Sequence, residues 1–323
     1  MAGGSEAIII GASVKASATS IQKISAAGTI ASDRLIRHGM VFKINAWILN
    51  SLKMAELRLD KSNCLFYLHF LPTRTEAATF VFVNALTGST DHWETVVAPA
   101  LRSEGFGTLS YNFRGQENSS FAQGVELTND LIVSDLIALV DEIRPSRPIL
   151  TGLSIGGLYA AQARACGAPA AGLVLLNTLR ETNQRIAWIN DALPHYVATG
   201  GTAMFMGLMM PLLTNPEFAA SVRNNFLKGP YTPLDPAHGH ANLVRNSVDT
   251  DWAFDWASLD LPVLSITGLH DRVFRDPDVI DRLFALLPEA RREDWDNAGH
   301  LLPLERPERL AGSLARFGRE IET

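Results

Sequence analysis

The most informative run in this 323-residue chain is Ile149-Leu150-Thr151-Gly152-Leu153-Ser154-Ile155-Gly156-Gly157. An apolar segment leads into a G-x-S-x-G frame with Ser154 at its centre, and the small residues Ala160, Ala161 and Ala163 follow. The glycines permit a strained turn that exposes the serine hydroxyl, and they let the next helix approach the strand closely. The helix N-terminus also carries partial positive charge, which stabilises an anion at the hydroxyl. The run therefore predicts a strand, a sharp turn and a helix that present Ser154 as a nucleophile.

A serine nucleophile needs a base to take its proton and an acid to orient that base, and two later segments supply them. Asp271 follows the predicted strand 261–268, where a loop can aim its carboxylate. His300 follows a strand-like segment around Trp295 and precedes the last predicted helix. The chain order Ser154, Asp271, His300, each just past a strand, is one of the known orders of a catalytic triad.

Other titratable residues offer alternatives to this assignment. Glu181 follows the predicted strand 172–176 and is the reserve acid, because some hydrolases place the acid there. His270 adjoins Asp271, and adjacent residues cannot easily align as base and orienting acid. The segment 235–240 contains one aspartate and two histidines, but no further cluster completes a metal site, so a polar turn is the favoured interpretation.

The oxyanion of a tetrahedral intermediate needs two backbone N–H donors. The run 79–83 is the most β-branched and aromatic in the chain, and it ends in Asn84-Ala85-Leu86. Ile155, directly after the nucleophile, is expected to supply one donor. Leu86, in the turn after the strand at 79–83, is expected to supply the other.

These segments resemble the α/β-hydrolase superfamily, in the branch with a helical cap, and are most similar to enol-lactone hydrolases, carboxylesterases and cofactor-free perhydrolases. The resemblance covers about residues 54–323. The segments that carry it are 82–89 with Trp93, 112–116, 152–157, 268–271 and 297–300. The family usually has His-Gly where this chain has Asn84-Ala85, and usually Asp at Asn112. Because the oxyanion donor is a backbone amide two positions after that His, Leu86 can still serve. The resemblance implies that no cofactor or metal is needed.

Alternation of strands and helices predicts a mostly parallel central sheet with helices on both faces. Strands are expected at 57–59, 64–68, 79–83, 108–111, 147–153, 172–176 and 261–268, and helices at 93–103, 129–143 and 155–166. The alternation stops between 180 and 257, which is too long for a simple connection. We therefore expect an α/β-hydrolase core formed by 54–179 and 258–323, with a helical cap at 180–257.

The predicted cap contains four of the seven methionines of the chain and several tryptophans. Flexible thioethers and aromatic rings suit an adaptable apolar pocket, although such residues also pack ordinary cores. Trp188, Phe205, Met206 and Met209 are the predicted substrate-binding residues.

Composition limits the remaining functions. With 47% hydrophobic and 19% charged residues the chain can form a large core, and a net charge of -6 argues against nucleic-acid binding. No apolar run reaches the roughly 20 residues of a membrane span. Residues 1–53 carry six basic and two acidic side chains and are expected to form a poorly defined N-terminal extension. Two cysteines favour a reducing, cytoplasmic location, with organelle targeting through residues 1–53 as the alternative.

The predicted function is hydrolysis of a small-molecule carboxylic ester or lactone through an acyl-enzyme on Ser154. One alternative is a serine acyltransferase or perhydrolase, in which an alcohol or peroxide replaces water, and product partition distinguishes it. The other is a non-catalytic binding protein on the same fold, which a missing triad member would indicate. The sequence leaves the oligomeric state open.

Overall fold

The computed structural model describes residues 53–322, so the predicted N-terminal extension lies outside the described residues except for Lys53. Within them the strands are β1 (Lys53–Arg58), β2 (Cys64–Phe70), β3 (Thr79–Val83), β4 (Gly107–Tyr111), β5 (Pro148–Leu153), β6 (Gly172–Leu176), β7 (Val263–Gly268) and β8 (Ala290–Trp295). The helices are α1 (Asp91–Glu94), α2 (Val97–Ser103), α3 (Asn129–Ile143), α4 (Ile155–Ala165), α5 (Gln184–Leu213), α6 (Pro216–Phe226), α7 (Gly239–Ser247), α8 (Pro277–Phe284), α9 (Leu302–Glu305) and α10 (Pro307–Glu322), with a 3-10 helix at Trp256–Ser258.

The strands form one sheet in the order β1-β2-β4-β3-β5-β6-β7-β8. β2 runs antiparallel to both β1 and β4, and every other neighbouring pair is parallel. The strands β3 to β7 are buried along their whole length, as parallel strands are when helices cover both faces. The predicted fold class is therefore confirmed.

Alternate side chains of β3 enter two separate cores. Val81 and Val83 pack into one hydrophobic cluster, and Phe80 and Phe82 pack into the other. Because successive side chains of a strand point to opposite faces, these clusters lie on the two sides of the sheet. The ring of Phe82 stacks on Trp93 with 4.6 Å between ring centroids, which anchors the segment that follows β3.

The helix that the sequence predicts at 93–103 is divided into α1 and α2. The chain leaves helical geometry at Val96, with φ -139° and ψ -49°. Proline explains the break: in a continuous helix, Pro99 would lack the hydrogen bond to Thr95 and its ring would clash with that carbonyl. By starting at Val97, α2 keeps Pro99 in its first turn, where the missing N–H costs nothing.

The segment between β6 and β7, for which a cap was predicted, contains α5, α6, α7 and the 3-10 helix. By length and composition α5 could cross a membrane, but its backbone breaks at Gly201, with φ 69° and ψ -175°. Buried α5 residues on both sides of the break, among them Leu193 and Phe205, share one hydrophobic cluster with Val244 of α7. The helix therefore packs as part of the folded protein.

Loops after four parallel strands carry the predicted site residues. Leu86 follows β3, Ser154 follows β5, Asp271 follows β7 and His300 follows β8. The carboxyl ends of parallel strands meet at one edge of a sheet, which is where α/β proteins place their ligands.

Candidate active site

Ser154 occupies a strained turn between β5 and α4. Its backbone has φ 59° and ψ -123°, a positive φ that non-glycine residues rarely adopt. Two contacts hold this conformation: the Ser154 N–H donates to the Leu176 carbonyl at 2.8 Å, and the Thr178 hydroxyl donates to the Ser154 carbonyl at 3.1 Å. The serine side chain thus stands at the N-terminus of α4.

The glycines of the G-x-S-x-G region allow α4 to approach its neighbours. A Cβ on Gly156 would lie 2.4 Å from the carbonyl oxygens of Val83 and Asn84, and a Cβ on Gly157 would lie 1.9 Å from the Thr178 hydroxyl oxygen. Both distances are far below van der Waals contact. Larger side chains would therefore push the nucleophile turn away from the turn that follows β3.

Asp271 and His300 form a buried pair. His300 Nδ1 lies 2.7 Å from Asp271 Oδ2, and Asp271 Oδ1 accepts hydrogen bonds from the N–H groups of Val273 and Phe274, each at 2.9 Å. Burial by itself raises the pKa of this carboxyl, but His300 and the two amides outweigh burial and hold the pKa of Asp271 below its ordinary value. The alternative acid, Glu181, instead makes a surface ion pair with an arginine of α8.

Two residues that the sequence analysis missed, the buried Glu305 and the half-buried Asn177, hold the loop around His300. The Glu305 carboxylate accepts from the N–H of Gly299 at 2.8 Å and from the N–H of Leu301 at 2.9 Å, so it fixes both neighbours of the histidine. The Asn177 amide donates to the carbonyls of Gly299 and His300, each at 3.0 Å. The Asn177 side-chain oxygen accepts from the Gly268 N–H at the end of β7. Asn177 therefore connects the loop that carries Asp271 to the loop that carries His300.

Leu86 and Ile155 both line the cavity that Ser154 lines. Neither N–H donates a hydrogen bond to any residue in the described range 53–322. Gln116, another residue the sequence analysis left without a role, supports the Leu86 turn. Its side-chain amide donates to the carbonyls of Ala85 and Leu86, at 3.0 and 3.1 Å.

Asn84, where the family usually has histidine, faces the protein interior. Its Nδ2 donates to the Tyr111 carbonyl at 2.9 Å and to Gln116 Oε1 at 3.0 Å, and its Oδ1 accepts from Trp93 Nε1 at 2.8 Å. Although Asn84 departs from the family pattern, its hydrogen bonds hold the turn after β3, and Leu86 still lines the cavity.

A cavity of about 80 Å³ opens beside Ser154 and His300. Helix α5 contributes Phe205 and Met206 to its wall, together with other mostly apolar residues. The Met206 sulfur also accepts a hydrogen bond from the Thr87 hydroxyl at 3.8 Å, so α5 contacts the turn after β3 directly. The inserted segment and the strand-end loops thus enclose one space.

Two predicted pocket residues lie elsewhere. Trp188 is 78% exposed and is absent from the cavity wall, because Ile186 and Asn190 face the cavity and a residue midway between them points to the opposite side of the helix. Met209 is buried in the same hydrophobic cluster as Phe205, and it is not among the residues that line the cavity. The predictions for Trp188 and Met209 are therefore corrected: the first is a surface residue and the second is a packing residue.

Arg180 is a cavity residue that the sequence analysis missed. It is 7% exposed, and its guanidinium lies over the Trp252 ring at 3.7 Å and the Phe274 ring at 4.4 Å. Burial lowers the pKa of Arg180 to about 9, although the charges of Asp271 and Tyr159 act in the opposite direction. No sequence motif marks this arginine, because its surroundings come from distant segments of the chain.

The histidines in 235–240, considered above as metal ligands, have a local role. His238 Nδ1 accepts from the His240 N–H at 3.2 Å and so caps the start of α7. Within residues 53–322, no three His, Cys, Asp or Glu side chains are grouped closely enough to hold a metal ion.

Comparison with known proteins gives four findings. A sequence model of the Alpha/beta hydrolase family matches residues 80–313. The chain is 21% identical over 259 residues to the uncharacterized carboxylesterase nap of Bacillus subtilis, a match that covers 75% of this chain and 79% of that protein. Its fold is similar to a thermophilic esterase from Thermogutta terrifontis, solved with malate bound, at 21% identity and a TM-score of 0.66, covering 84% of this chain and 98% of that one. The enol-lactonase from Burkholderia xenovorans is similar at 23% identity and a TM-score of 0.65, covering 79% and 96%.

Proposed function

This chain belongs to the alpha/beta hydrolase family, and we propose that it hydrolyses small carboxylic esters or lactones through an acyl-enzyme on Ser154. One observation carries the proposal: Ser154, the Asp271-bound His300, Leu86 and Ile155 line one cavity, and the N–H groups of Leu86 and Ile155 donate to no residue within 53–322. Nucleophile, base, orienting acid and oxyanion donors are the groups that acyl transfer requires. The esterase and lactonase relatives support an ester-type bond as the target.

In the first half of the proposed reaction, His300 takes the proton of Ser154 as its hydroxyl attacks the ester carbonyl. The carbonyl oxygen gains negative charge and is stabilised by the N–H groups of Leu86 and Ile155, with the N-terminal end of α4 adding to the favourable field. Asp271 accepts from His300 Nδ1, which leaves Nε2 free to take the serine proton and stabilises the imidazolium that results.

In the second half, His300 returns the proton to the departing alkoxide and then activates a water molecule. That water attacks the acyl group on Ser154, the same two amides stabilise the second oxyanion, and the acid product leaves. The contacts of Asp271 and Glu305 hold the loops that carry Asp271 and His300, which supports this sequence of steps.

The proposed function is tested by measuring acid release from a series of ethyl esters and small lactones at constant pH. We expect faster turnover of small than of bulky substrates, because the space beside Ser154 is limited, with a cavity volume of about 80 Å³. Addition of an alcohol or of hydrogen peroxide then shows which acceptor reacts. Predominant formation of the new ester or of the peracid in dilute acceptor would favour the acyltransferase or perhydrolase alternative, and absence of any turnover would contradict hydrolysis.

Replacement of Phe205 by alanine is expected to change the acyl-chain preference. Phe205 forms part of the cavity wall, so its removal creates space that longer acyl chains can fill. One methylene in such a pocket is worth about 1–3 kcal/mol, so the kcat/KM of a hexanoate relative to an acetate is expected to rise about tenfold or more. The measurement is kcat/KM for a homologous ethyl ester series.

Met209→Ala is the matched control, because Met209 lies one turn further along α5 in the same hydrophobic cluster but outside the cavity. It is expected to lower stability, as deletion of a buried side chain does, without altering the order of the esters. If Phe205→Ala reduces kcat/KM equally for every chain length, Phe205 only supports packing and the proposed role of α5 in substrate choice is wrong.

A further inference from the structure

Arg180 is a buried charge that the proposed hydrolysis does not use. Its side chain is more than nine-tenths buried, and its Nε and Nη1 atoms donate no hydrogen bond to any residue within 53–322. A guanidinium carries five N–H donors and remains protonated at neutral pH even with its pKa lowered to about 9. Burying such a cation without hydrogen-bond partners costs free energy. We therefore expect a contact with a ligand to offset this cost.

The geometry leaves the cavity as the place for that contact. Trp252 and Phe274 lie against the guanidinium, at 3.7 and 4.4 Å from their ring centroids. Aromatic rings stabilise a cation over their faces but accept no strong hydrogen bond from its N–H groups. Arg180 shares the cavity wall with Ser154 and His300, so a bound substrate lies close to its guanidinium group.

No acidic side chain in the wall of this cavity balances the charge. The charge of Asp271 acts to raise the pKa of Arg180. The Asp271 carboxylate, however, already accepts hydrogen bonds from His300, Val273 and Phe274. Since the wall contains no other Arg and no Lys, Asp or Glu, a ligand that enters the cavity meets the positive charge of Arg180 in a largely apolar space. Such a site favours a small molecule with one negative charge.

We propose that Arg180 binds a carboxylate of the substrate, so that the preferred substrates are small esters or lactones that carry a carboxylate group. This inference rests on the proposed function of the same site. A carboxylate matches the single charge of the guanidinium and forms short charge-assisted hydrogen bonds with it. A phosphate would bring further negative charge next to Asp271 in a cavity of about 80 Å³, which makes it the less favourable ligand.

The test compares esters of equal shape that differ only in charge. Ethyl hydrogen succinate is paired with ethyl 4-methylpentanoate, and 3-acetoxypropanoate with 3-methylbutyl acetate; in each pair an isopropyl group replaces the carboxylate. The two pairs carry the charge on the acyl and on the alcohol side. For at least one pair, Arg180→Met is expected to lower the anionic-to-neutral ratio of kcat/KM by about 10- to 150-fold, the range for a hydrogen bond to a charged group.

Arg185→Met is the matched control, because Arg185 is exposed near the start of α5 and, within residues 53–322, its side chain makes one hydrogen bond, a long one of 3.4 Å to the Arg275 carbonyl. It removes the same charge and is expected to leave both ratios unchanged. The thermal unfolding temperature of Arg180→Met is expected to be equal to that of the wild type or higher, because the variant no longer buries an unpaired cation.

Three results would overturn the inference. The wild type could show no preference for the anionic member of either pair, Arg180→Met could reduce kcat/KM equally for the charged and neutral esters, or its loss of activity could follow a lowered unfolding temperature. In each case the neutral esters report separately on the proposed function, which stands if the wild type hydrolyses them and Ser154→Ala does not.

Discussion

Ser154→Ala is expected to lower kcat for ester hydrolysis by about 10⁶-fold, the loss typical of removing a serine nucleophile. The wild type is expected to form a covalent adduct with a fluorophosphonate at Ser154, identified by mass spectrometry of the digested protein. The physical reason is the turn itself: Ser154 has a positive φ, lies at the start of α4 and lines the same cavity as His300, an arrangement that is expected to activate its hydroxyl. The fold is expected to survive, because only one oxygen atom is removed.

Ser247 provides the sharpest control for this assignment. It lines the same cavity, but its hydroxyl donates to the Val244 carbonyl at 2.8 Å within α7, so its proton is already engaged in a hydrogen bond. Ser247→Ala is therefore expected to keep the fluorophosphonate label on Ser154. An adduct found on Ser247 in the wild type, with Ser154 unmodified, would contradict the proposed nucleophile.

The sequence predicts the parts of this site that local rules determine. The elements α3, β3 and β6 have the bounds predicted from hydrophobic pattern and capping; Thr128, for instance, caps α3 by accepting from the Leu131 N–H. The strained turn at Ser154 follows from its flanking glycines, and the positions of Asp271 and His300 follow from their places after β7 and β8.

The parts that were missed depend on contacts between distant segments. The Arg180 guanidinium contacts the rings of Trp252 and Phe274, which lie more than 70 residues away in the chain. Glu305 holds the His300 loop and also binds Asn215 of the inserted segment, at 2.7 Å from its backbone nitrogen. Neither contact has a local sequence pattern, because each is created only when the sheet has formed.

The error at Trp188 has a different cause. An apolar residue in a helical segment can face the cavity, the core or solvent, and composition does not fix the rotation of the helix about its axis. Ile186 and Asn190 set that rotation here, and Trp188 is consequently 78% exposed. The break before α2, in contrast, had a visible local signal in Pro99, which rules out a continuous helix through this region.

Asp271→Asn is expected to reduce kcat by about 10⁴-fold, although the substitution preserves shape. Asp271 Oδ1 accepts from the N–H groups of Val273 and Phe274, so in the variant the amide oxygen must occupy this position. The amide NH₂ group then faces His300 Nδ1 and donates to it. His300 is thereby held in the tautomer with its proton on Nε2, which cannot take the proton of Ser154.

Glu181→Gln is the matched acid-to-amide control, since Glu181 makes an exposed ion pair with Arg282 and lies outside the cavity wall. It is expected to change kcat by less than about threefold, because an exposed ion pair contributes little. A larger loss for Glu181→Gln than for Asp271→Asn would identify Glu181 as the orienting acid instead.

The proposed triad leads to an expectation for the kcat of a double variant at Ser154 and His300. If Ser154 and His300 act as one unit, removal of either abolishes the same step, and the double variant Ser154→Ala with His300→Ala should lose little more than either single variant. The measurement is kcat for the two single variants and the double variant on one neutral ester, with the residual rate compared against buffer. Losses that multiply would mean that His300 acts in a separate process, and the His300–Asp271 contact of 2.7 Å would then serve structure alone.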